Sequence, residues 1–151
     1  MSNTITLDYR KFKNPARMDP SAPPNYFELD NSSITVTKRS FGGNGTAWID
    51  GNKMDVRLTF RGNFDLDSED AFARSKFNSI IYSFKREGAI TISGFNSRVE
   101  DTDSALDSLF EADNKIYGSE FNDKLLGDDG DDMIYGGRGD DKIKGGAWCR
   151  R

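Results

Sequence analysis

Carboxylates at a fixed nine-residue spacing near the C-terminus are the groups in this sequence best placed to do chemistry. Three consecutive nine-residue copies each begin with glycine, carry aspartate in sixth place and carry an aliphatic residue in eighth place. The glycines are Gly118, Gly127 and Gly136, the aspartates are Asp123, Asp132 and Asp141, and the aliphatic residues are Leu125, Ile134 and Ile143. A weaker copy over residues 109–117 has Asn114 sixth and Ile116 eighth. This regularity predicts an ordered repeat, although so acidic a segment would otherwise suggest disorder.

The spacing itself predicts how each copy folds. Glycines in the first half of a copy permit the positive φ angles of a tight loop. The three residues after the aspartate are too few for a helix but enough for a short strand, whose eighth residue points inward while its neighbours point outward. Two copies would then make one turn of a flattened parallel coil. Loops eighteen residues apart would stack at roughly 4.8 Å.

Stacked carboxylates of this kind need a cation. At about 5 Å they would repel by some 3 kcal/mol per pair at an effective dielectric constant of 20. The ligands on offer are carboxylates and backbone carbonyls, which suit Ca²⁺ better than Mg²⁺. We therefore expect Ca²⁺ binding that is coupled to folding of the repeat.

Composition excludes several other functions. The chain of 151 residues has no histidine and a single cysteine, Cys149, so it has no imidazole base, no four-cysteine zinc site and no intrachain disulfide. Residues 100–151 carry 14 acidic and 7 basic side chains, which argues against a nucleic-acid partner. No apolar run is long enough for a transmembrane segment. Residues 1–13 lack the apolar stretch of a cleaved secretory signal.

The pattern G-x-x-G-x-D-x-U-x, with U aliphatic, resembles the RTX or hemolysin-type calcium-binding repeat over residues 109–147. The resemblance implies a parallel β-roll. It also implies an extracellular bacterial protein that is exported by a type I system without an N-terminal signal peptide and that folds outside the cell when Ca²⁺ binds.

The same resemblance implies a set of oxygen ligands for each ion. The first site would combine Ser119, Phe121 and Asp123 with Gly136, Arg138 and Asp141. The second would combine Phe110, Ala112 and Asn114 with Gly127, Asp129 and Asp132, and the amide of Asn114 should make it weaker. The third would combine Asp128, Gly130 and Asp132 with Gly145 and Ala147, although Arg150 stands where its second carboxylate belongs. In each set the sixth-position residue contributes its side chain, and the others contribute backbone carbonyls.

The rest of the chain predicts an all-β protein. The predicted strands are Ser33–Thr37, Thr46–Ile49, Asp55–Phe60, Asn78–Phe84 and Ala89–Ser93, the last two joined by a hairpin turn at residues 86–88. Residues 14–24 hold all four prolines and should form an extended loop, whereas Gly42–Asp50 is interpreted as a hairpin turn. Ser68–Phe84 is open to a helix capped by Ser68, but strand is favoured from about Arg74.

We expect three regions: a β-rich N-terminal domain of hairpins with a sandwich-like arrangement (residues 1–102), a short capping helix (103–112) and the calcium-binding β-roll (113–151). The helix, predicted over Asp103–Glu111 with Ala105, Leu106, Leu109 and Phe110 inward, would cover the open end of the coil.

No catalytic residue is predicted. The acidic cluster of Asp65, Asp67, Glu69 and Asp70 fits a solvated turn better than a glycosidase pair or an EF-hand. Eight aromatic residues are expected in the core: Phe41, Trp48, Phe60, Phe64, Phe77, Tyr82, Phe84 and Phe95. The favoured function is a non-enzymatic, calcium-responsive structural module. The alternatives are an adhesive or polysaccharide-binding accessory domain with a carbohydrate or cell-surface partner, a fragment of an RTX toxin, and a residual lyase or glycosidase. The oligomeric state is not predicted.

Overall fold

A computed structural model of the chain describes residues 4–13, 27–49, 52–107 and 111–145. Strands are the main secondary structure of these residues, and there are two short α-helices. The elements are β1 (Ile5–Asp8), β2 (Phe27–Leu29), β3 (Thr35–Val36), β4 (Ser40–Ile49), β5 (Asn52–Asn63), α1 (Glu69–Ala73), β6 (Lys76–Phe84), β7 (Gly88–Arg98), α2 (Thr102–Asp107), β8 (Asn114–Tyr117), β9 (Lys124–Leu126), β10 (Met133–Tyr135) and β11 (Lys142–Lys144). Two 3-10 helices cover Asn31–Ser33 and Val99–Asp101. The all-β prediction is confirmed.

Most strands belong to one sheet of nine. Its order is β10-β8-β1-β7-β6-β5-β4-β2, and β3 also pairs with β4. The predicted hairpins are present, as β4 to β7 pair successively in antiparallel fashion. In place of a two-sheet sandwich, however, the N-terminal strands lie in this one sheet. Within the described residues the second sheet is the parallel pair β9 and β11.

Alternation of apolar and polar residues gives the large sheet one buried face. On β6, Phe77, Ile80, Tyr82 and Phe84 are buried, and each lies against the core cluster formed with β5 and β7. The tight turn at residues 85–87 leads into Gly88, whose φ of 82° only glycine adopts without strain. The predicted hairpin turn is therefore confirmed. The aromatic residues expected in the core are there, with Trp48 half-buried.

The glycine-rich segment predicted as a hairpin turn is instead a strand. Residues 42–49 belong to β4, whereas Asp50 lies outside the described residues. The reason lies in the neighbouring backbone. A Cβ added at Gly45 would collide with the Glu28 carbonyl oxygen, and one at Gly43 would lie 2.7 Å from the Ser33 hydroxyl. The glycines allow another segment to pass close over the strand; they do not reverse the chain.

The ambiguous segment Ser68–Phe84 contains both predicted structures in succession. Ser68 caps α1, its hydroxyl accepting a hydrogen bond of 3.0 Å from the Ala71 amide. The helix ends at Ala73, and β6 begins two residues after Arg74. The favoured strand is confirmed, and the helical alternative holds for five residues only.

Helix α2 packs against β7 and the 3-10 helix at Val99–Asp101, with Leu106 buried. The described part of this helix ends at Asp107, and the predicted inward positions 109 and 110 lie outside the described residues, as does the proline-rich segment 14–24. Its capping role and the three-region division stay predictions. Neither α-helix of the described residues is long and apolar enough to cross a lipid bilayer.

Candidate metal centre

The repeat strands stack with the predicted offset of eighteen residues. In β8 and β10, Ile134 lies opposite Ile116, and in β9 and β11, Ile143 lies opposite Leu125. The eighth-position residues point into the core, where Ile116 and Leu125 are almost fully buried. Met133 and Tyr135, on either side of Ile134, are exposed. The inward and outward alternation predicted from the spacing is confirmed.

Two sixth-position side chains, Asp132 and Asp141, are hydrogen-bonded to the backbone eighteen residues earlier. The Asp132 Oδ1 atom accepts a hydrogen bond of 2.9 Å from the Asn114 amide, and the Asp141 Oδ1 atom accepts one of 2.9 Å from the Asp123 amide. Both bonds join residues eighteen apart. Asp123 and Asp132 are each 1% exposed, so the loops hold carboxylates in the protein interior.

A second set of side chains, in fifth position, makes the reciprocal contact. The Asp113 Oδ1 atom accepts a hydrogen bond of 2.9 Å from the Asp131 amide, and the Asn122 Oδ1 atom accepts one of 2.8 Å from the Asp140 amide. These residues were missed in the sequence. The signal was present, because the fifth place is Asp or Asn in every copy, including the weak one.

The first-position glycines make room for the carboxylates. A Cβ added at Gly127 or Gly136 would collide with the Oδ2 atom of the aspartate in the same copy, Asp132 or Asp141. At Gly118 the added Cβ would lie 2.5 Å from the Asp123 Oδ2 atom. The Asp132 and Asp141 carboxylates therefore turn one oxygen towards the residue eighteen places earlier and the other back into their own loops.

The Asp132 carboxylate has one oxygen that lacks a hydrogen bond within the described part of the chain. Its Oδ2 atom is buried and has no hydrogen-bond partner among the described residues. Burial raises the pKa of Asp132, and the nearby charges of Asp113, Asp128 and Asp131 raise it further, against the lowering effect of the Asn114 amide. A buried oxygen without a hydrogen-bond donor among the described residues, under the negative charge of nearby aspartates, fits a bound cation, which would offset both the burial and the repulsion.

The first copy closes its loop differently. Ser119 donates to both oxygens of Asp123, from its amide at 2.7 Å and from its hydroxyl at 2.6 Å. In the later copies the second and fourth places have positive φ, at Asp128 (67°) and Gly130 (112°) and at Gly137 (87°) and Gly139 (104°). Ser119 and Phe121 occupy those places in the first copy, and neither has a positive φ. The two hydrogen bonds from Ser119 to Asp123 close that turn instead.

The structure brings the predicted ligand loops together in pairs. For the first set, a Cβ added at Gly137 would lie 2.9 Å from the Ser119 carbonyl oxygen, and one at Gly139 would lie 2.7 Å from that of Phe121. Arg138 beside them is exposed, and Gly136 and Asp141 are half-buried. The ligand assignment itself stays a prediction.

The second and third predicted sets are described only in part. A Cβ added at Gly130 would lie 2.7 Å from the Ala112 carbonyl oxygen, which joins the loops of the second set. The Gly127 amide donates to the Lys144 carbonyl at 2.9 Å, which brings Gly145 of the third set to the same loop. Asp129 is exposed. Residues 110, 147 and 150 lie outside the described part of the chain.

The predicted metal ligands in these loops are all oxygen atoms, and most of them are backbone carbonyl oxygens. Over the residues that the structure describes, no three acidic or cysteine side chains converge into a group able to hold a metal ion. A cation here would need the loop carbonyls as well as the carboxylates. Such an all-oxygen set fits Ca²⁺.

The acidic cluster before α1 contrasts with these loops. Asp65, Asp67, Glu69 and Asp70 are all exposed, and the Asp65 carboxylate accepts a hydrogen bond of 3.0 Å from the Asp67 amide. The four side chains are exposed to solvent, as predicted, but Glu69 and Asp70 belong to the first turn of α1 rather than to a loop.

Comparison with known proteins agrees with the loop geometry. Residues 110–147, about a quarter of the chain, match the family of the RTX calcium-binding nonapeptide repeat in four copies. Neither a curated protein nor a solved structure matches the chain significantly. RTX repeats are typical of secreted, calcium-binding proteins. Residues 110–147 are therefore a run of RTX calcium-binding nonapeptide repeats.

Proposed function

We propose that the repeat segment, residues 110–147, binds Ca²⁺ in its loops and becomes ordered when it does so. The observation that carries this proposal is the buried Asp132 carboxylate, one of whose oxygens has no hydrogen-bond partner among the described residues while three other carboxylates act on it. Without a cation, such an arrangement opposes folding. Affinities should lie in the range of extracellular calcium modules, roughly 10⁻⁴–10⁻³ M.

The setting that we propose is extracellular. Cytoplasmic Ca²⁺ would be far too dilute to fill sites of this affinity, so the repeat would stay unfolded there and fold after export. A type I export route is part of this proposal, as is a structural rather than an enzymatic role. The proposal is supported by the repeat match and by the solvated nature of the acidic cluster at Asp65–Asp70.

Calorimetric titration with CaCl₂, together with circular dichroism in Ca²⁺ and in EGTA, tests the proposal. Binding with a gain of β signal is expected, and MgCl₂ should give little of either. Asp141→Asn should weaken binding, whereas Asp65→Asn is the matched control because Asp65 is exposed and belongs to none of the predicted ligand sets. A spectrum that is the same in EGTA and in Ca²⁺ would contradict coupled folding.

A second candidate, carbohydrate binding, is favoured by one surface. The rings of Tyr117 and Tyr135 stack at 5.1 Å, the Arg10 guanidinium lies 4.1 Å from the Tyr117 ring centre, and Tyr135 is exposed. Stacked rings beside a cation suit a sugar acid. A glycan array with the unmodified chain and with Tyr135→Ala tests this, and signals that survive the substitution would argue against this surface.

A further inference from the structure

The N-terminal strand β1 occupies the place of a repeat strand. It pairs with β8 in parallel, with Leu7 opposite Ile116 and Asp8 opposite Tyr117. On the other side of β8, Ile134 lies opposite Ile116 in the same parallel sense. Leu7, Ile116 and Ile134 thus form one buried column across three adjacent strands, and Leu7 stands in it as an eighth-position residue would.

The hydrogen bonds at the end of β1 follow the pattern of the repeat. The Tyr9 amide donates to the Tyr117 carbonyl at 2.8 Å, just as the Gly118 amide donates to the Tyr135 carbonyl at 2.8 Å. Tyr9 therefore stands in the place of a first-position glycine, one strand before Gly118.

The strand in this place does not come from the residues that the repeat period would supply. An offset of eighteen residues before β8 falls on residues 96–99, and these lie at the end of β7 and the start of the 3-10 helix. Strand β7 instead pairs with β1 from the other side in antiparallel fashion, with Thr6 opposite Ser93. Strand β1 thus joins the repeat ladder to the N-terminal sheet.

Tyr9 connects this strand to a predicted calcium ligand. Its side chain is fully buried, and its hydroxyl has no hydrogen-bond partner among the described residues. The negative charge of Asp123 reaches it and, after burial, is the second cause that raises the pKa of the Tyr9 hydroxyl. The neighbouring Gly118 would place a Cβ against the same Asp123 carboxylate.

We infer that β1 is the first strand of the calcium-binding ladder, so that Ca²⁺ binding by the repeat and folding of the N-terminal sheet form one coupled equilibrium. The inference rests on the proposed calcium binding. Linkage is reciprocal: whatever Ca²⁺ contributes to the sheet, docking of β1 contributes to Ca²⁺ affinity. The N-terminal strands β2–β7 are therefore calcium-responsive although none of them belongs to the repeat.

Trp48 in β4 reports on the sheet far from the repeat. In a Trp148→Phe background it is the chain's remaining tryptophan, and its fluorescence follows urea unfolding of the N-terminal sheet. At 10 mM free Ca²⁺, one site of the expected affinity should raise the folding equilibrium constant by about 10–100-fold. The urea midpoint reported by Trp48 should therefore rise, and the folding equilibrium constant taken from that curve should increase by at least the same factor. A transition at the same urea concentration with and without Ca²⁺ would overturn the inference.

The reciprocal arm compares two leucines buried to the same degree. Leu7→Ala removes the β1 member of the buried column and should raise the calorimetric Ca²⁺ Kd at least about tenfold. Leu58→Ala, in β5, should change it less than about twofold while Trp48 shows a folded sheet. Equal effects of the two would overturn the inference. If Leu58→Ala does not fold, the Trp48 measurement decides alone.

The two proposals fail in different ways. Ca²⁺ binding without any change in the urea midpoint of Trp48 fluorescence would refute the inference but not the proposed function. An absence of Ca²⁺ binding by calorimetry would overturn the proposed function, and the inference with it.

Discussion

Asp132→Asn should stabilise the protein in EGTA and should reduce the further stabilisation that Ca²⁺ adds. In EGTA, the substitution removes a buried charge from beside other carboxylates and keeps the oxygen that accepts from the Asn114 amide. Relief of an unsatisfied buried group is worth about 1–3 kcal/mol, so the free energy of unfolding should rise by that amount. In 10 mM Ca²⁺, the same substitution removes a ligand.

The loss in Ca²⁺ follows from mass action. A site of the expected affinity contributes about 1.4–2.7 kcal/mol at 10 mM Ca²⁺. Asp132 belongs to the second and third predicted ligand sets, so the variant should lose at least one such contribution. Urea unfolding followed by circular dichroism, in EGTA and in Ca²⁺, measures both changes.

Asp65→Asn is the matched control, since Asp65 is exposed and should change stability by less than about 0.5 kcal/mol in either buffer. A variant at position 132 that is less stable in EGTA, or that gains as much stability from Ca²⁺ as the unmodified chain does, would refute the reasoning. The first result would mean that the carboxylate is satisfied without metal, and the second that it does not bind the ion.

Three further predictions concern the same loops. Because the pKa of Asp132 is higher in the folded state than in the unfolded state, its charge opposes folding at neutral pH. In EGTA, the free energy of unfolding should therefore increase as the pH falls through the raised pKa towards 3.8. Urea unfolding at several pH values measures this increase, which Asp132→Asn should flatten. Ser119→Ala removes the hydroxyl that donates to Asp123, and should cost about 1–3 kcal/mol in EGTA; an unchanged thermal midpoint would show that the serine does not close that loop. Gly127→Ala would press a methyl group on the Asp132 carboxylate, and calorimetry should show weaker Ca²⁺ binding than in Ala112→Gly, which adds no atoms near that carboxylate.

The ladder offset could be predicted from the sequence because glycine, aspartate and aliphatic residue recur in phase. The glycine, aspartate and aliphatic positions all favour the same loop followed by the same strand, so the local pattern and the tertiary contacts predict the same structure. The fifth-position contacts follow the same period and were within reach. The closed first loop was not, since whether Ser119 bonds to Asp123 depends on backbone angles that its residue type does not dictate.

The partner of β8 could not be predicted either. The alternation of Ile5 and Leu7 is that of any half-buried strand, and nothing in it specifies a partner 109 residues further along the chain. Likewise, the glycines of β4 carry the local signal of a turn, but their purpose is close approach of the segment around Glu28 and Ser33. In both cases the deciding contact is distant in sequence.

The fixed offset between stacked strands limits how the repeat could change in length. Inserting one residue between β8 and β10 would turn Ile134 to the solvent side and move the Asp132 carboxylate away from the Asn114 amide, so two kinds of contact would fail together. Adding or removing eighteen residues would leave every remaining pair opposite its partner. The length of such a segment can therefore change only in steps of eighteen residues, and not by single residues.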